Sequence, residues 1–193
     1  MQAGTCGYRL FEEMKKGKVV WITGLPGSGK SAIAAALKKR RPGIAVLQMD
    51  ELRRLATPEP SYSEAEREII YRALIYAAKT LSCLGHDAAI DATGNLRRWR
   101  ELARREIAPF AEVYLRCPLD IAMQREKKRM KRRGAPAGIY DKAKEGWPVP
   151  GVAVPYEEPL DPELVIETGR TGIGEAARLI DGLLRRLAKD RRG

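Results

Sequence analysis

Short apolar runs rich in β-branched residues alternate along this chain with longer stretches in which apolar positions return every three or four residues. The runs predict strands at Val19–Thr23, Ile44–Gln48, Ala88–Asp91, Glu112–Leu115 and Leu164–Ile166. The intervening stretches predict helices. One runs from Lys30 to Lys39 and stops before Pro42-Gly43. A second starts at Ser63, whose hydroxyl forms a capping box with Glu66, and ends near Leu84 ahead of Gly85. Arg97–Ile107 and Leu119–Arg133 follow, the latter entered through Pro118, and Glu175–Lys189 is the last. Strands alternating with helices give an α/β fold in three layers, a parallel sheet with helices on both faces. A chain of 193 residues suits one such domain, spanning residues 1–193. Between residues 134 and 162 the pattern fails, because Pro136, Pro148, Pro150, Pro155, Pro159 and Pro162 discourage regular structure. A connection of that length reads either as a lid, about residues 125–160, or as a disordered linker.

The first predicted strand runs into Gly24-Leu25-Pro26-Gly27-Ser28-Gly29-Lys30-Ser31, which opens the first helix. This is the strand, glycine-rich turn and helix of a phosphate-binding P-loop. Gly24, Gly27 and Gly29 let backbone N–H groups, including that of Ser28, point inward at the positive end of the helix dipole. Lys30 reaches the β- and γ-phosphates, and the Ser31 hydroxyl holds Mg²⁺. ATP with Mg²⁺ is the expected ligand pair. The complete eight-residue pattern argues against a chance glycine-rich turn.

In a parallel sheet the ligand crevice lies at the carboxyl ends of the strands. Asp50, just past the second strand, is placed there to take a proton from an attacking hydroxyl or to hold a water of the Mg²⁺ shell, with Arg53 to neutralise a phosphate. The alternative is that Asp50 only caps a helix. Asp91, ending the third strand, is placed to orient Ser31 and Mg²⁺, while Thr93 and Asn95 beyond it either bind substrate or form a simple turn. His86 is the single histidine, so histidine triads and zinc sites lack parts. Phosphoryl transfer, which needs Lys, Arg and Mg²⁺ in position, remains.

Charge changes the picture only in part. The net charge of +11 falls in clusters at residues 97–105, 125–133 and 185–192, which read as a solvated face, as attraction for small anionic substrates, or as a nucleic-acid footprint. Cys6, Cys83 and Cys117 have no CxxC spacing, so a disulfide framework or a zinc cluster is not expected and a reducing cytoplasm fits. No apolar run approaches the ~20 residues of a membrane span, and the amino terminus lacks a signal-peptide layout.

The residues resemble those of adenylylsulfate kinases, P-loop enzymes that phosphorylate the 3′-hydroxyl of adenosine 5′-phosphosulfate, over nearly the whole chain. Val19 to Leu25 resembles the family's first strand and P-loop, and Asp50 with Arg53 its Asp-x-x-Arg base and sulfonucleotide-binding arginine. Tyr62-Ser63 and Arg67 match a Phe-Ser and arginine that sandwich and clamp the substrate. Cys117-Pro118-Leu119 and Gln124-Arg125 resemble its post-strand Pro-Leu and lid Gln-Arg, the latter implying that Arg125 closes over the donor nucleotide. Gly138-Ile139-Tyr140 with Lys142-Ala143 resembles a Gly-Leu-Tyr-x-Lys-Ala motif, which implies that Lys142 meets substrate. Pro155-Tyr156-Glu157 and Pro159 resemble Pro-Tyr-Glu-x-Pro.

Departures from the family pattern fall on the acceptor side. Gln48-Met49-Asp50 stands for Asp-Gly-Asp, Ile70 for a substrate-contacting Asn, and Gly94-Asn95-Leu96-Arg97 for Ser-Pro-Phe/Tyr-Arg. The lid's Lys-Gly-Phe-Thr-Gly is replaced by Trp147-Pro148-Val149-Pro150-Gly151, leaving Trp147 to supply the stacking face, and a basic insertion, Lys127 to Arg133, lengthens the preceding helix. The Asp91-Ala92-Thr93-Gly94-Asn95 segment with Arg97 and Arg100 also resembles other small P-loop kinases, some acting on nucleic-acid ends or aminoacyl-tRNA. The resemblance thus implies ATP, Mg²⁺ and a small nucleotide acceptor, with an RNA end or tRNA-linked residue as second reading, and a non-catalytic nucleotide sensor as third. It is compatible with a homodimer.

Overall fold

The computed structural model describes residues 15–57, 59–128 and 138–187. Five parallel strands, β1 (Val19–Thr23), β2 (Ala45–Gln48), β3 (Ala88–Asp91), β4 (Phe110–Arg116) and β5 (Leu164–Glu167), lie in the order β2-β3-β1-β4-β5. Around them run α1 (Lys30–Arg40), α2 (Met49–Ala56), α3 (Glu64–Cys83), α4 (Arg97–Glu106), α5 (Leu119–Lys127), α6 (Ile139–Ala143) and α7 (Ile173–Arg186).

β1 is the centre of the sheet and is buried along its whole length, as expected of a strand covered on both faces. Alternate residues feed two cores. Val20 and Ile22 meet Ile33 and Leu37 of α1 and Ile180 and Leu184 of α7. Trp21, pointing the other way, meets Leu74 of α3 and Trp99 of α4 through Tyr71. Parallel register sets Ile22 beside Asp91, and Asp91 beside Gln48, so the ends of β1, β3 and β2 form one ledge beneath the P-loop.

Every predicted strand is present, with ends shifted by at most a few residues. Two helices were not foreseen. α2 begins at Met49, directly after β2, so Asp50, placed just past the strand as expected, sits inside the first helical turn rather than at the cap, which is Gln48. Within the proline-rich connection, α6 and a turn at Val149 replace the expected irregular chain: Val149 O accepts the N–H groups of Val152, Ala153 and Val154. The expected extension of α5 through Arg133, the last residues of the terminal helix, Cys6, and most of the basic stretch at residues 185–192 lie partly or wholly outside the described residues.

Candidate active site

The P-loop wraps the amino end of α1, whose first turn carries no acidic residue to compete with a bound phosphate. Gly27 adopts a left-handed φ of 80°, and a Cβ there would lie 2.2 Å from the Ala122 carbonyl of α5, so only glycine fits between loop and helix. Lys30 folds back over the loop, its Nζ donating to the carbonyls of Gly24 (2.9 Å) and Leu25 (3.0 Å). The Ser28 hydroxyl is buried with no hydrogen-bond partner among the described residues, an acceptor and donor held ready inside the loop.

Asp91 is 6% exposed at the end of β3. Burial pushes its carboxyl above the usual range; Lys30 and a hydrogen bond from Ser31 oppose that shift, the Asp50 charge adds to it, and the Gln48 amide, 3.5 Å away, also opposes it. Lys30, Ser31, Asp50 and Asp91 therefore converge as expected. Mg²⁺ in phosphoryl transfer takes few protein oxygens and completes its shell with phosphates and water, so a serine hydroxyl bonded to a carboxylate is a fitting donor set. Asp50 is exposed on the first turn of α2.

A second cluster lies where α2, α3 and the proline-rich connection meet. Arg53 pairs with Glu66 at 3.3 Å and sits 4.8 Å above the Tyr62 ring. Tyr62 is tilted against Trp147 with centroids 5.1 Å apart, and the Lys142 ammonium lies 4.5 Å over the other aromatic, Trp147. Arg67 donates to Tyr62 O at 3.1 Å and to Pro148 O at 2.7 Å. All five expected acceptor-side residues are thus in one place. Two rings holding a flat base between them need roughly 7 Å between centroids, twice an ordinary carbon contact. Here the rings touch, about 2 Å closer than that.

Glu66 was legible only as half of a capping box, and its role differs. Ser63 Oγ accepts the Glu66 N–H at 3.2 Å as expected, but the Glu66 carboxylate takes the N–H groups of Ser61 and Tyr62 (3.0 Å for Tyr62) rather than that of Ser63. It thereby holds Tyr62 at its positive φ of 55°. Burial raises the Glu66 carboxyl, yet the Ser61 and Tyr62 hydrogen bonds and the Arg53 charge outweigh it and leave the group below its ordinary value. A carboxyl depressed in the folded state adds stability above its unfolded pKa and loses it as pH falls through the folded value. Glu66→Gln is therefore expected to melt below the parent at neutral pH, with the difference closing in acid; thermal melts across that range check this.

Other expected residues are engaged elsewhere. Arg125 is exposed on α5 and donates to Thr168 O at 2.7 Å, tying α5 to the end of β5. Asn95 donates to Pro155 O at 3.2 Å, and the Thr93 carbonyl accepts the Thr23 hydroxyl, so both brace the loop after β3. Ile70 lies in the core. Arg100 is 1% exposed, pairs with Glu112, and donates to Gly94 O and to Glu157 O. The connection docks on the P-loop on both sides of Trp147: Tyr140 donates to Pro26 O at 2.8 Å, and a Cβ at Gly151 would lie 2.6 Å from Leu25.

The adenylylsulphate kinase family model matches residues 16–167. The chain belongs to the adenylylsulphate kinase family. A probable adenylyl-sulfate kinase of Archaeoglobus fulgidus is 37% identical over 158 residues, covering 79% of this chain and 96% of that protein. The adenylyl-sulfate kinase of Geotalea uraniireducens is 36% identical over 180 residues, 89% of this chain and 82% of its own length. Among solved structures, the Mycobacterium tuberculosis APS kinase CysC in complex with AMPPNP and APS superposes with a TM-score of 0.77 at 32% identity, over 89% of this chain and 99% of that one. A Sinorhizobium meliloti gluconokinase at 19% identity and a TM-score of 0.62 shares the fold. The expected α/β P-loop kinase architecture and enzyme class hold, and membership of this family bears out the resemblance read from the motifs. Among the described residues no helix is long and apolar enough to cross a membrane.

Proposed function

We propose that this chain transfers the γ-phosphoryl group of ATP to the 3′-hydroxyl of adenosine 5′-phosphosulfate. The observation that carries the reading is the meeting of Arg53, Tyr62, Arg67, Lys142 and Trp147 in one cluster, with Arg53 on the same short helix as Asp50 and three residues from it. Two aromatic rings for a base and three cations for phosphate and sulfate suit an adenine-bearing sulfonucleotide. Membership of the family supports it.

In this reading ATP lays its β- and γ-phosphates in the P-loop, where Lys30 leaves the Gly24 and Leu25 carbonyls to bridge them. Bound Mg²⁺ would be held through Ser31 and Asp91, directly or through water with Asp50, and would supply charge neutralisation to the phosphates. The acceptor parts Tyr62 from Trp147, and Arg53 and Arg67 take its anionic groups. Asp50 accepts the 3′-hydroxyl proton as the oxygen attacks Pγ; the bond from Pγ to the bridging oxygen breaks and ADP departs with the pair. Arg125 would leave Thr168 to close on the donor. Water is kept out by the connection already docked on the P-loop, and this domain, residues 1–193, would work as one unit with that connection as lid. A cytoplasmic location suits ATP and the reduced thiols of Cys83 and Cys117.

Asp50→Asn is expected to cut turnover by about 10²- to 10⁴-fold, the range of a positioned base, with ATP binding retained; steady-state kinetics and nucleotide titration check both. Trp147→Ala is expected to raise KM for the acceptor by about tenfold while leaving KM for ATP unchanged, as loss of one aromatic stacking face predicts. The reading itself is tested by following ADP release with MgATP and a panel of adenosine 5′-phosphosulfate, adenosine 5′-phosphate and short RNAs. Turnover with the first alone is expected. Arg100, one of the residues that pointed to an RNA acceptor, is buried in the fold and not available to contact one.

A further inference from the structure

At the amino ends of β1, β2 and β3, opposite the crevice, lies an open groove of about 340 Å³. Its walls are the chain leading into β1, with Lys15, Lys16 and Lys18, the turn after α1 at Arg41, and the turn before β3 at His86 and Asp87. α1 separates it from the P-loop by about 16 Å, eleven residues of helical rise. It therefore belongs to neither nucleotide site.

The backbone of the groove is fixed. Gly17 N donates to Ser82 O at 2.8 Å, and the Ser82 hydroxyl donates back to Gly17 O at 2.7 Å. A Cβ on Gly17 would lie 2.0 Å from the His86 carbonyl, so only glycine allows the lysine-bearing chain to lie against that turn. The one acid in the groove is already engaged on both oxygens: Asp87 Oδ1 accepts the Lys18 N–H at 2.9 Å and Oδ2 accepts Arg41 Nη1 at 2.7 Å. Arg41 in turn holds Asp181 at 3.0 Å. Acid and arginine neutralise each other, and the ammonium groups of Lys15, Lys16 and Lys18 have no ion-pair partner among the described residues. Three like charges brought to one concave surface on a pinned backbone repel one another, and a multivalent anion relieves that repulsion.

The shape limits the anion. Its volume is at the small end of small-molecule sites. The cations near the groove that would extend a basic stripe along the surface are engaged instead: Arg40 with Asp181 at 3.3 Å, Lys38 on the carbonyls of Pro42 and Ile44, and Lys79 with Glu106 at 2.7 Å. A nucleic acid needs such a stripe; a compact oligophosphate does not. We propose that this groove is a second anion site, taking a small oligophosphate through Lys15, Lys16 and Lys18.

The test is calorimetric titration of the full chain with inorganic tripolyphosphate, the P-loop first saturated with a non-hydrolysable ATP analogue and Mg²⁺. One further equivalent of tripolyphosphate is expected to bind, weakening steeply with added salt. The Lys15→Gln/Lys16→Gln/Lys18→Gln variant is expected to weaken it by about tenfold or more, the scale of losing several charge contacts, with an unchanged melting temperature and unchanged saturation by the ATP analogue. A Lys30→Ala chain, whose defect lies at the P-loop, is expected to keep the tripolyphosphate site. Absence of binding beyond the saturated P-loop overturns the proposal, as does binding that the triple variant leaves intact. Binding of a single-stranded oligonucleotide with none of tripolyphosphate also overturns it, because the site would then read a polymer.

Discussion

Lys30→Ala is expected to reduce phosphoryl transfer by at least about 10³-fold, with melting temperature held. Phosphoryl transfer draws nearly all its acceleration from positioning and charge stabilisation, and loss of a single preorganised donor to developing charge typically costs about 10²- to 10³-fold. Lys30 is more than one donor: it is the cation at the mouth of the loop, and its charge opposes the rise that burial gives the Asp91 carboxyl. Its ammonium donates to the loop carbonyls of Gly24 and Leu25. Kinetics beside a thermal melt separate the two effects. A variant that turns over at the parental rate would show that the phosphates lie elsewhere.

The second large effect is on stability. Arg100→Met is expected to destabilise the fold by about 3–5 kcal/mol, because it takes away the close partner of buried Glu112 and leaves only the 3.7 Å contact from half-exposed Arg104. Arg100 is 1% exposed and Glu112 is 7% exposed, so water cannot replace the lost ion pair. The carbonyls of Gly94 and Glu157 lose a donor in the same step. For a chain of this size the melting temperature should drop by roughly 6–20 °C. Removing both charges, as Arg100→Met/Glu112→Leu, is expected to recover much of the loss, since the penalty is the orphaned carboxylate rather than the missing pair. Denaturant unfolding of both variants checks this.

Arg100 also shows where sequence reading stops. In the chain it stands among Arg97, Arg98, Arg104 and Arg105, and nothing local distinguishes a buried arginine from a solvated one. Its partner lies twelve residues away on β4, and its carbonyl acceptors are brought in by the loop after β3 and the strap at Glu157. Such partners exist only once the sheet is assembled. β1, β3 and β4 were legible because burial on both faces demands continuous apolar runs, α1 because the P-loop and Pro42-Gly43 bound it, and α3 because its length and the Ser63 cap agree. α2 was missed because eight residues are too few for a periodic signal and Gln48 offers no side-chain cap. One sign was present: Asp50 and Glu51 open the segment and Arg53 and Arg54 close it, the charge order that a helix dipole favours.

The P-loop was readable from spacing alone, since its chemistry is carried by consecutive residues. The acceptor cluster was readable only through resemblance, because Arg53, Tyr62, Arg67, Lys142 and Trp147 come from three separate segments. Glu66 was half read. A capping box explains its spacing from Ser63 but not its grip on Tyr62, which depends on the left-handed turn at that residue.

The account rests on delivery of phosphate to one hydroxyl. Its most direct test is to incubate the chain with MgATP and adenosine 5′-phosphosulfate and to locate the new phosphate in the product by phosphorus NMR and sensitivity to a 3′-nucleotidase. One added phosphomonoester, removed by the 3′-specific enzyme and absent with Asp50→Asn on the same timescale, is the result expected. A product phosphorylated at any other position, or ATP held without transfer to this acceptor, would contradict it.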